Sequence, residues 1–254
     1  MLDIHQILVL RDNYVFLLHD PASGATAAVD PAEAEPVLAA LGQKGWNLTH
    51  VLCTHPHWDH VGGNLALQRL TGCKVYGAAR DRGEIPGLDV AVAEGDMVAL
   101  GTVQAQVLDV PGHTQGHLAY WFREEQALFC GDTLFAMGCG RLLGGTAEQL
   151  WASLSRLRDL PPATRVYCAH EYTEANGRFA LTLEPGNPDL AARMDRVRVL
   201  RGQGKATVPS TIEQERATNP FLRPESLEVQ RALGLEGAAP VRVFAEARRR
   251  KDVF

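Results

Sequence analysis

The chain has 254 residues, 46% of them hydrophobic, and a formal net charge of -5 at pH 7. That length suits one large domain, or a medium domain with a smaller appendage, around a sizeable core, and the acidic balance argues against general affinity for phosphate backbones. No apolar run approaches the roughly 18 residues of a membrane span, and MLDIHQILVLRDNY lacks the basic start and long apolar middle of a signal peptide, so a soluble cytoplasmic protein is expected.

In chain order, YVFLLHD (14–20) and ATAAVD (25–30) read as strands and AEAEPVLAALGQKG (32–45) as a helix. HVLCTH (50–55) is a further strand, GNLALQRLTG (63–72) a helix, and KVYGAA, MVAL, VQAQVLDV, LAYWF and QALFCGD are strands bounded by turn residues. TAEQLWASLSRLRDL (146–160) reads as a helix whose Thr146 and Gln149 form a capping box, and RVYCAH (165–170) as a strand. After about Tyr172 the strands stop and helical, proline-punctuated sequence takes over. The pattern is layered α/β, with a boundary near residues 171–175: a catalytic domain over 1–172 and a smaller helical, substrate-binding domain over 173–254. Cys53, Cys73, Cys130, Cys139 and Cys168 are odd in number and scattered through apolar segments, which predicts no disulfide framework and, for most of them, buried thiols.

Four apolar runs end at once on a metal-ligand residue. THPHWDH (54–60) carries His55, His57, Asp59 and His60, VLDVPGH delivers His113, ALFCGD delivers Asp132 and RVYCAH delivers His170. Strand ends hold loops rigidly enough for side chains from distant segments to converge. If residues 55–57 stay extended, His55 and His57 point to the same side, where both reach one cation about 2.0–2.1 Å away. A turn at Trp58 then presents Asp59 and His60 toward a second position. Seven donors exceed what one tetrahedral cation uses, so two metals sharing a carboxylate is the economical assignment, with Asp132 as bridge. Histidine and carboxylate donors suit zinc, iron and manganese alike, and zinc is the metal expected. His5, His19 and His50 read as ordinary surface or core residues, His117 as a hydrogen-bonding neighbour of the cluster, and Gly62, Gly63, Gly144 and Gly145 as turn or close-approach positions.

In this order, THPHWDH, PGHTQGH, FCGDT and CAHEYT resemble the signature of the metallo-β-lactamase superfamily. LRDNY, VDP, GDTLFAMGCGRLLGGTAEQL, LPPATRVYCAHEYT, EPGN, TVPST, NPFLR and RRRKDVF make the chain more similar still to the glyoxalase II, or hydroxyacylglutathione hydrolase, family. The resemblance implies an αββα sandwich with a dinuclear site, followed by a smaller C-terminal α-helical domain. His55, His57 and His113 would hold one metal, Asp59, His60 and His170 the other, and Asp132 would bridge. Tyr172, Arg248, Lys251 and the backbone around Arg141 would meet glutathione. Leu143 departs from the pattern, standing where a tyrosine is expected.

The implied reaction is hydrolysis of S-(2-hydroxyacyl)glutathione, chiefly S-D-lactoylglutathione, to glutathione and D-lactate, the second step of methylglyoxal detoxification. Zinc lowers the pKa of a bound water from about 15.7 to around 7, and Asp59 would orient the resulting hydroxide. An alkyl thiol with a pKa near 8.5 departs largely without a proton donor, so no dedicated general acid is required. VRVFAEARRRKDVF (241–254) reads as a helix with Arg248 and Lys251 on one face, suited to a substrate carboxylate. Only a small-molecule partner is expected. The competing readings are a single-iron persulfide dioxygenase, against which the long helical segment and basic tail speak, an RNA-processing nuclease, disfavoured by the acidic charge, and a silent binding module.

Overall fold

The computed structural model describes residues 1–254, which form two compact units: residues 1–109 with 116–131, and residues 110–115 with 132–254. In the first unit, β1 (Asp3–Val9), β2 (Asn13–His19) and β3 (Thr26–Val29) run antiparallel; then come α1 (Ala34–Lys44), β4 (His50–Leu52), α2 (Trp58–Val61), α3 (Asn64–Thr71), β5 (Lys74–Ala78) and β6 (Leu88–Val92). The six strands form one sheet in sequence order, parallel from β3 to β6, with α1 and α3 supplying the first two crossovers and the segment 79–87 the third. β7 (Met97–Leu100), β8 (Val103–Asp109), β9 (Leu118–Phe122) and β10 (Ala127–Gly131) come next as an antiparallel meander.

The unbroken apolar run of β2 has a simple cause: both its faces are covered. Val15 and Leu17 pack with Val37, Leu41 and Leu67 of α1 and α3, while Phe16 on the opposite face meets Phe129 of β10 edge-on at 5.5 Å. Between α2 and α3, a Cβ on Gly62 would stand 2.5 Å from the Ala32 carbonyl oxygen and one on Gly63 2.7 Å from that of Pro31. Only glycine lets the segment carrying the histidine cluster lie flat on the 31–33 backbone.

The second unit contains the hairpin β11 (Leu134–Phe135) and β12 (Gly138–Cys139), then α4 (Ala147–Arg158) and β13 (Arg165–Cys168). α4 starts at the capping box of Thr146 and Gln149 expected from sequence. Five helices and a strand complete it: α5 (Thr173–Leu183), α6 (Pro188–Gly202), β14 (Ser210–Thr211), α7 (Ile212–Thr218), α8 (Leu227–Leu233) and α9 (Pro240–Asp252). The expectation that strands stop after Tyr172 is corrected by β14, which pairs antiparallel with β13 through Arg165 with Thr211 and Val166 with Ser210. Two residues are too few to carry an alternating pattern, and Thr211 also caps α7 by accepting the Gln214 amide. β1, β6, the β11–β12 hairpin and α2 likewise escaped the sequence pattern, being short or, in β1, mixed in polarity.

All five cysteines are free and buried. Burial pushes the Cys53 thiol far up, the Cys139 thiol to about 11 and the Cys168 thiol to about 12, so these three stay protonated and are poor nucleophiles. No helix is long and apolar enough to cross a membrane.

Candidate metal centre

In the first unit the chain leaves β4 through Cys53 and Thr54, and Tyr120 Oη fixes this exit by donating to the Cys53 carbonyl at 2.9 Å. Asp30, at the end of β3, organises the histidine segment beyond that exit. Its carboxylate accepts the Thr54 amide at 2.7 Å and the Thr54 hydroxyl at 2.7 Å, and it lies 3.1 Å from His60 Nδ1. A carboxylate only accepts, so His60 carries its proton on Nδ1 and presents a bare Nε2. Thr54 Oγ1, having given its proton to Asp30, offers only lone pairs to His55 Nδ1 at 3.0 Å. His55 therefore also presents Nε2 without a proton. One buried carboxylate sets the tautomer of two histidines, the arrangement that makes imidazole a good metal ligand.

His55 Nε2 lies 3.0 Å from His57 Nδ1, so the two side chains do turn to the same side. α2 begins at Trp58 and places Asp59 Oδ2 3.6 Å from His60 Nε2. Asn13 Nδ2 holds Asp59 from the start of β2, donating to Oδ2 at 3.0 Å and to the Asp59 carbonyl at 3.1 Å. His117 stacks on His55 at 4.6 Å, with Nδ1 3.1 Å from the Leu118 carbonyl, a neighbour's hydrogen-bonding position. Asp30, Thr54 and Asn13 were not singled out from the sequence. Asp30 ends an apolar strand just as Asp132 does, and that pattern marks it; Thr54 and Asn13 stand within THPHWDH and LRDNY, but nothing local gives either of them a role.

In the second unit, His113 Nδ1 is 2.8 Å from the carbonyl oxygen of Arg141, which fixes the proton there and leaves Nε2 bare. That nitrogen lies 3.5 Å from Asp132 Oδ2, while His170 Nε2 lies 3.4 Å from Asp132 Oδ1. These separations are long for hydrogen bonds. They match donors around a shared cation, since two atoms each about 2.0–2.1 Å from a tetrahedral ion stand roughly 3.3 Å apart. Each oxygen of Asp132 thus faces a different imidazole, as a carboxylate bridging two cations would. The nitrogen and oxygen donors, with the tautomers of His55, His60 and His113 set by their partners, fit divalent metal.

Beside Asp132 and His113 the same unit holds a cavity of about 300 Å³, lined also by Arg141, Tyr172, Arg248 and Lys251. Tyr172 stacks on His170 with ring centroids 4.7 Å apart, and Phe135 meets both rings edge-on. The basic residues differ in kind. Arg248 is 4% exposed and engaged, donating from Nη1 to the Cys139 carbonyl at 2.8 Å and from Nη2 to Asp252 at 2.8 Å. Lys251 lies over the rings of Phe179 and Phe254 at 5.6 and 5.2 Å, and burial together with Arg248 and Arg178 holds its pKa below the usual lysine value. Arg141 is exposed, and Leu143, 55% exposed, stands outside the cavity lining.

Residues 4–170 match the family model described as the Metallo-beta-lactamase superfamily, and residues 171–254 the one described as the Hydroxyacylglutathione hydrolase C-terminus. A protein of Methylococcus capsulatus named hydroxyacylglutathione hydrolase is 65% identical over 254 residues, spanning 100% of this chain and 99% of its own. The chain belongs to the hydroxyacylglutathione hydrolase family. Its fold is the α/β metallo-β-lactamase fold followed by the C-terminal region of the hydroxyacylglutathione hydrolases, and it carries the histidine and aspartate clusters of a metal-binding hydrolase. Among solved structures similar to this hydroxyacylglutathione hydrolase family member, ETHE1 from Myxococcus xanthus has a TM-score of 0.68 at 27% identity, covering 99% of each chain. TTHA1623, solved in a di-iron-bound form, has a TM-score of 0.62 at 28% identity, covering 86% of this chain and 100% of its own.

Proposed function

We propose that the chain hydrolyses S-(2-hydroxyacyl)glutathione thioesters, chiefly S-D-lactoylglutathione, releasing glutathione and D-lactate as the second step of methylglyoxal detoxification. The observation that carries this reading is Asp132, whose two oxygens face His113 and His170 at the wall of a cavity lined also by cationic side chains. His55, His57 and His113 would hold one divalent cation, Asp59, His60 and His170 a second, and Asp132 would bridge them, with zinc the first choice and iron or manganese compatible. Bound there, such a pair supplies Lewis-acid polarisation of a carbonyl and makes a water acidic enough to ionise near neutral pH.

The chain's own residues do the rest. Asp59, fixed by Asn13, orients the attacking water. Arg248 and Lys251, on one face of α9, attract a carboxylate of the glutathione moiety, and Tyr172 and the backbone around Arg141 meet its peptide part. The leaving thiol, with an ordinary pKa near 8.5, departs as thiolate and needs no proton from the protein. We assign catalysis to residues 1–172 and substrate binding to 173–254, take the partner to be this small molecule alone, without nucleic acid or membrane, and locate the reaction in the cytoplasm. The test is hydrolysis of S-D-lactoylglutathione by the purified full chain, with metal analysis before and after chelation. Activity should disappear on chelation and return with zinc; activity persisting in fully metal-free protein overturns the mechanism.

A further inference from the structure

The hairpin β11–β12 links Asp132 to Arg141, and therefore a bridging carboxylate to the carbonyl that orients His113. Its base is closed by the Gly140 amide donating to the Thr133 carbonyl at 3.2 Å, and a Cβ on Gly140 would strike the Asp132 carbonyl oxygen. Its tip is strained. Met137 is fully buried with φ +54°, a left-handed conformation that an unbranched side chain adopts only where the surroundings impose it.

The imposing contacts come from α5 and α7. Glu215, 0% exposed, accepts the Met137 amide at 2.8 Å and Asn219 Nδ2 at 3.0 Å on Oε2, while Oε1 takes Arg193 Nη2 at 2.6 Å. Asn219 Nδ2 donates in turn to the carbonyls of Phe135 and Gly138 at 3.1 and 2.9 Å, and Asn176 donates to that of Ala136 at 3.2 Å. A buried carboxylate is costly and persists only when fully paired. This one is paired on both oxygens, and two of its three partners are the tip of the hairpin and the residue that grips the hairpin's carbonyls.

We propose that Glu215 is a positioning residue for the metal centre: by fixing the β11–β12 turn it holds Asp132 and the Arg141 carbonyl, and through the latter His113 Nε2, in ligating geometry. The inference rests on the two-metal reading above. It gives the helical C-terminal segment a second task besides binding substrate, since α7 helps build the metal site from behind.

The test is chelator competition on zinc-loaded full chain, with the visible spectrum of the cobalt-substituted protein as a structural readout. Glu215→Gln offers Met137 and Arg193 a single acceptor oxygen, so the turn relaxes; zinc affinity should fall about tenfold or more, as when a partner of a metal ligand is lost, and the cobalt bands should shift. Arg193→Lys is the control. It keeps a cation beside Glu215 Oε1 but gives up the guanidinium contact with Thr218 Oγ1, so the contacts of Glu215 with Met137 and Asn219 stay, and zinc affinity and cobalt bands should remain those of the wild type. If Glu215→Gln does not fold, Asn219→Ser replaces it, keeping a cap for Phe221 while releasing the Phe135 and Gly138 carbonyls, with the same expected loss. Wild-type zinc affinity in the folded Glu215→Gln or Asn219→Ser protein, or equal weakening in Arg193→Lys, overturns the proposal. Failure of the wild type to bind two metals would instead overturn the two-metal reading.

Discussion

Replacing Asp30 by Asn changes one carboxylate oxygen into an amide nitrogen and almost nothing in shape. The oxygen of Asn can still accept the Thr54 amide, now made to Asp30 Oδ1 at 2.7 Å. The amide nitrogen then faces the Thr54 hydroxyl and His60 Nδ1, which lie 2.7 and 3.1 Å from Oδ2. It cannot accept from either. His60 must move its proton to Nε2, and Thr54 must turn its own hydrogen away, freeing His55 to do the same. Loss of a partner that orients a metal-bound histidine typically costs 10- to 100-fold in affinity, about 1.4–2.7 kcal/mol. Two histidines depend on Asp30, so both sites should weaken. In the metal-free protein, hydrogen bonds to a charged acceptor worth about 1.5–3 kcal/mol each are exchanged for poorer ones. A net loss near 2 kcal/mol would lower the melting temperature by roughly 4–8 °C for a chain of this size. Chelator competition on zinc-loaded protein and calorimetry on the metal-free protein measure the two effects separately. If Asp30→Asn binds two zinc ions as tightly as the wild type, the tautomer argument is wrong, whatever happens to activity.

Lys251→Met keeps the apolar packing on Phe179 and Phe254 but removes the charge, so KM for glutathione thioesters should rise with zinc content unchanged; an unchanged KM removes Lys251 from the binding site. Leu143→Tyr should lower KM by about two- to tenfold if the added phenol gains one hydrogen bond of about 0.5–1.5 kcal/mol to substrate, and no change in KM would show that this position does not reach it. The Cys139 and Cys168 thiols, raised from 9.0 to about 11 and about 12, make stability pH-dependent. The native state holds protons that the unfolded chain releases above its ordinary thiol pKa, so stability falls as pH rises past about 9, by about 1.4 kcal/mol per thiol per pH unit until the folded values are reached. Denaturant melts from pH 7 to 10.5 check this; stability flat to pH 10.5 would refute thiol burial as its cause. Below pH 8 the same thiols should resist alkylation in the native protein.

Much of the fold was legible because its strands are buried on one or both faces and so read as apolar runs: MVAL and LAYWF coincide with β7 and β9, and α4 starts at its capping box. The losses have equally physical causes. β14 and the β11–β12 hairpin have two-residue strands, which no periodicity can mark, and the hairpin's hydrogen bonds come from Asn219, Glu215 and Asn176, far along the chain. In the expected substrate wall, equal spacing on α9 concealed a difference between two cations: Arg248 is engaged by the Cys139 carbonyl and Asp252, whereas Lys251 rests on aromatic rings.

By itself the sequence determined which donors exist and that each follows an apolar run, because strand ends and ligand residues are both local properties of the chain. The tertiary structure decided which nitrogen His55, His60 and His113 offer. His60 is set by Asp30, 30 residues away, His113 by the Arg141 carbonyl, 28 away, and Asp59 is held by Asn13, 46 away. A tautomer depends on the hydrogen-bond partner at the opposite edge of the ring, and only folding brings that partner there.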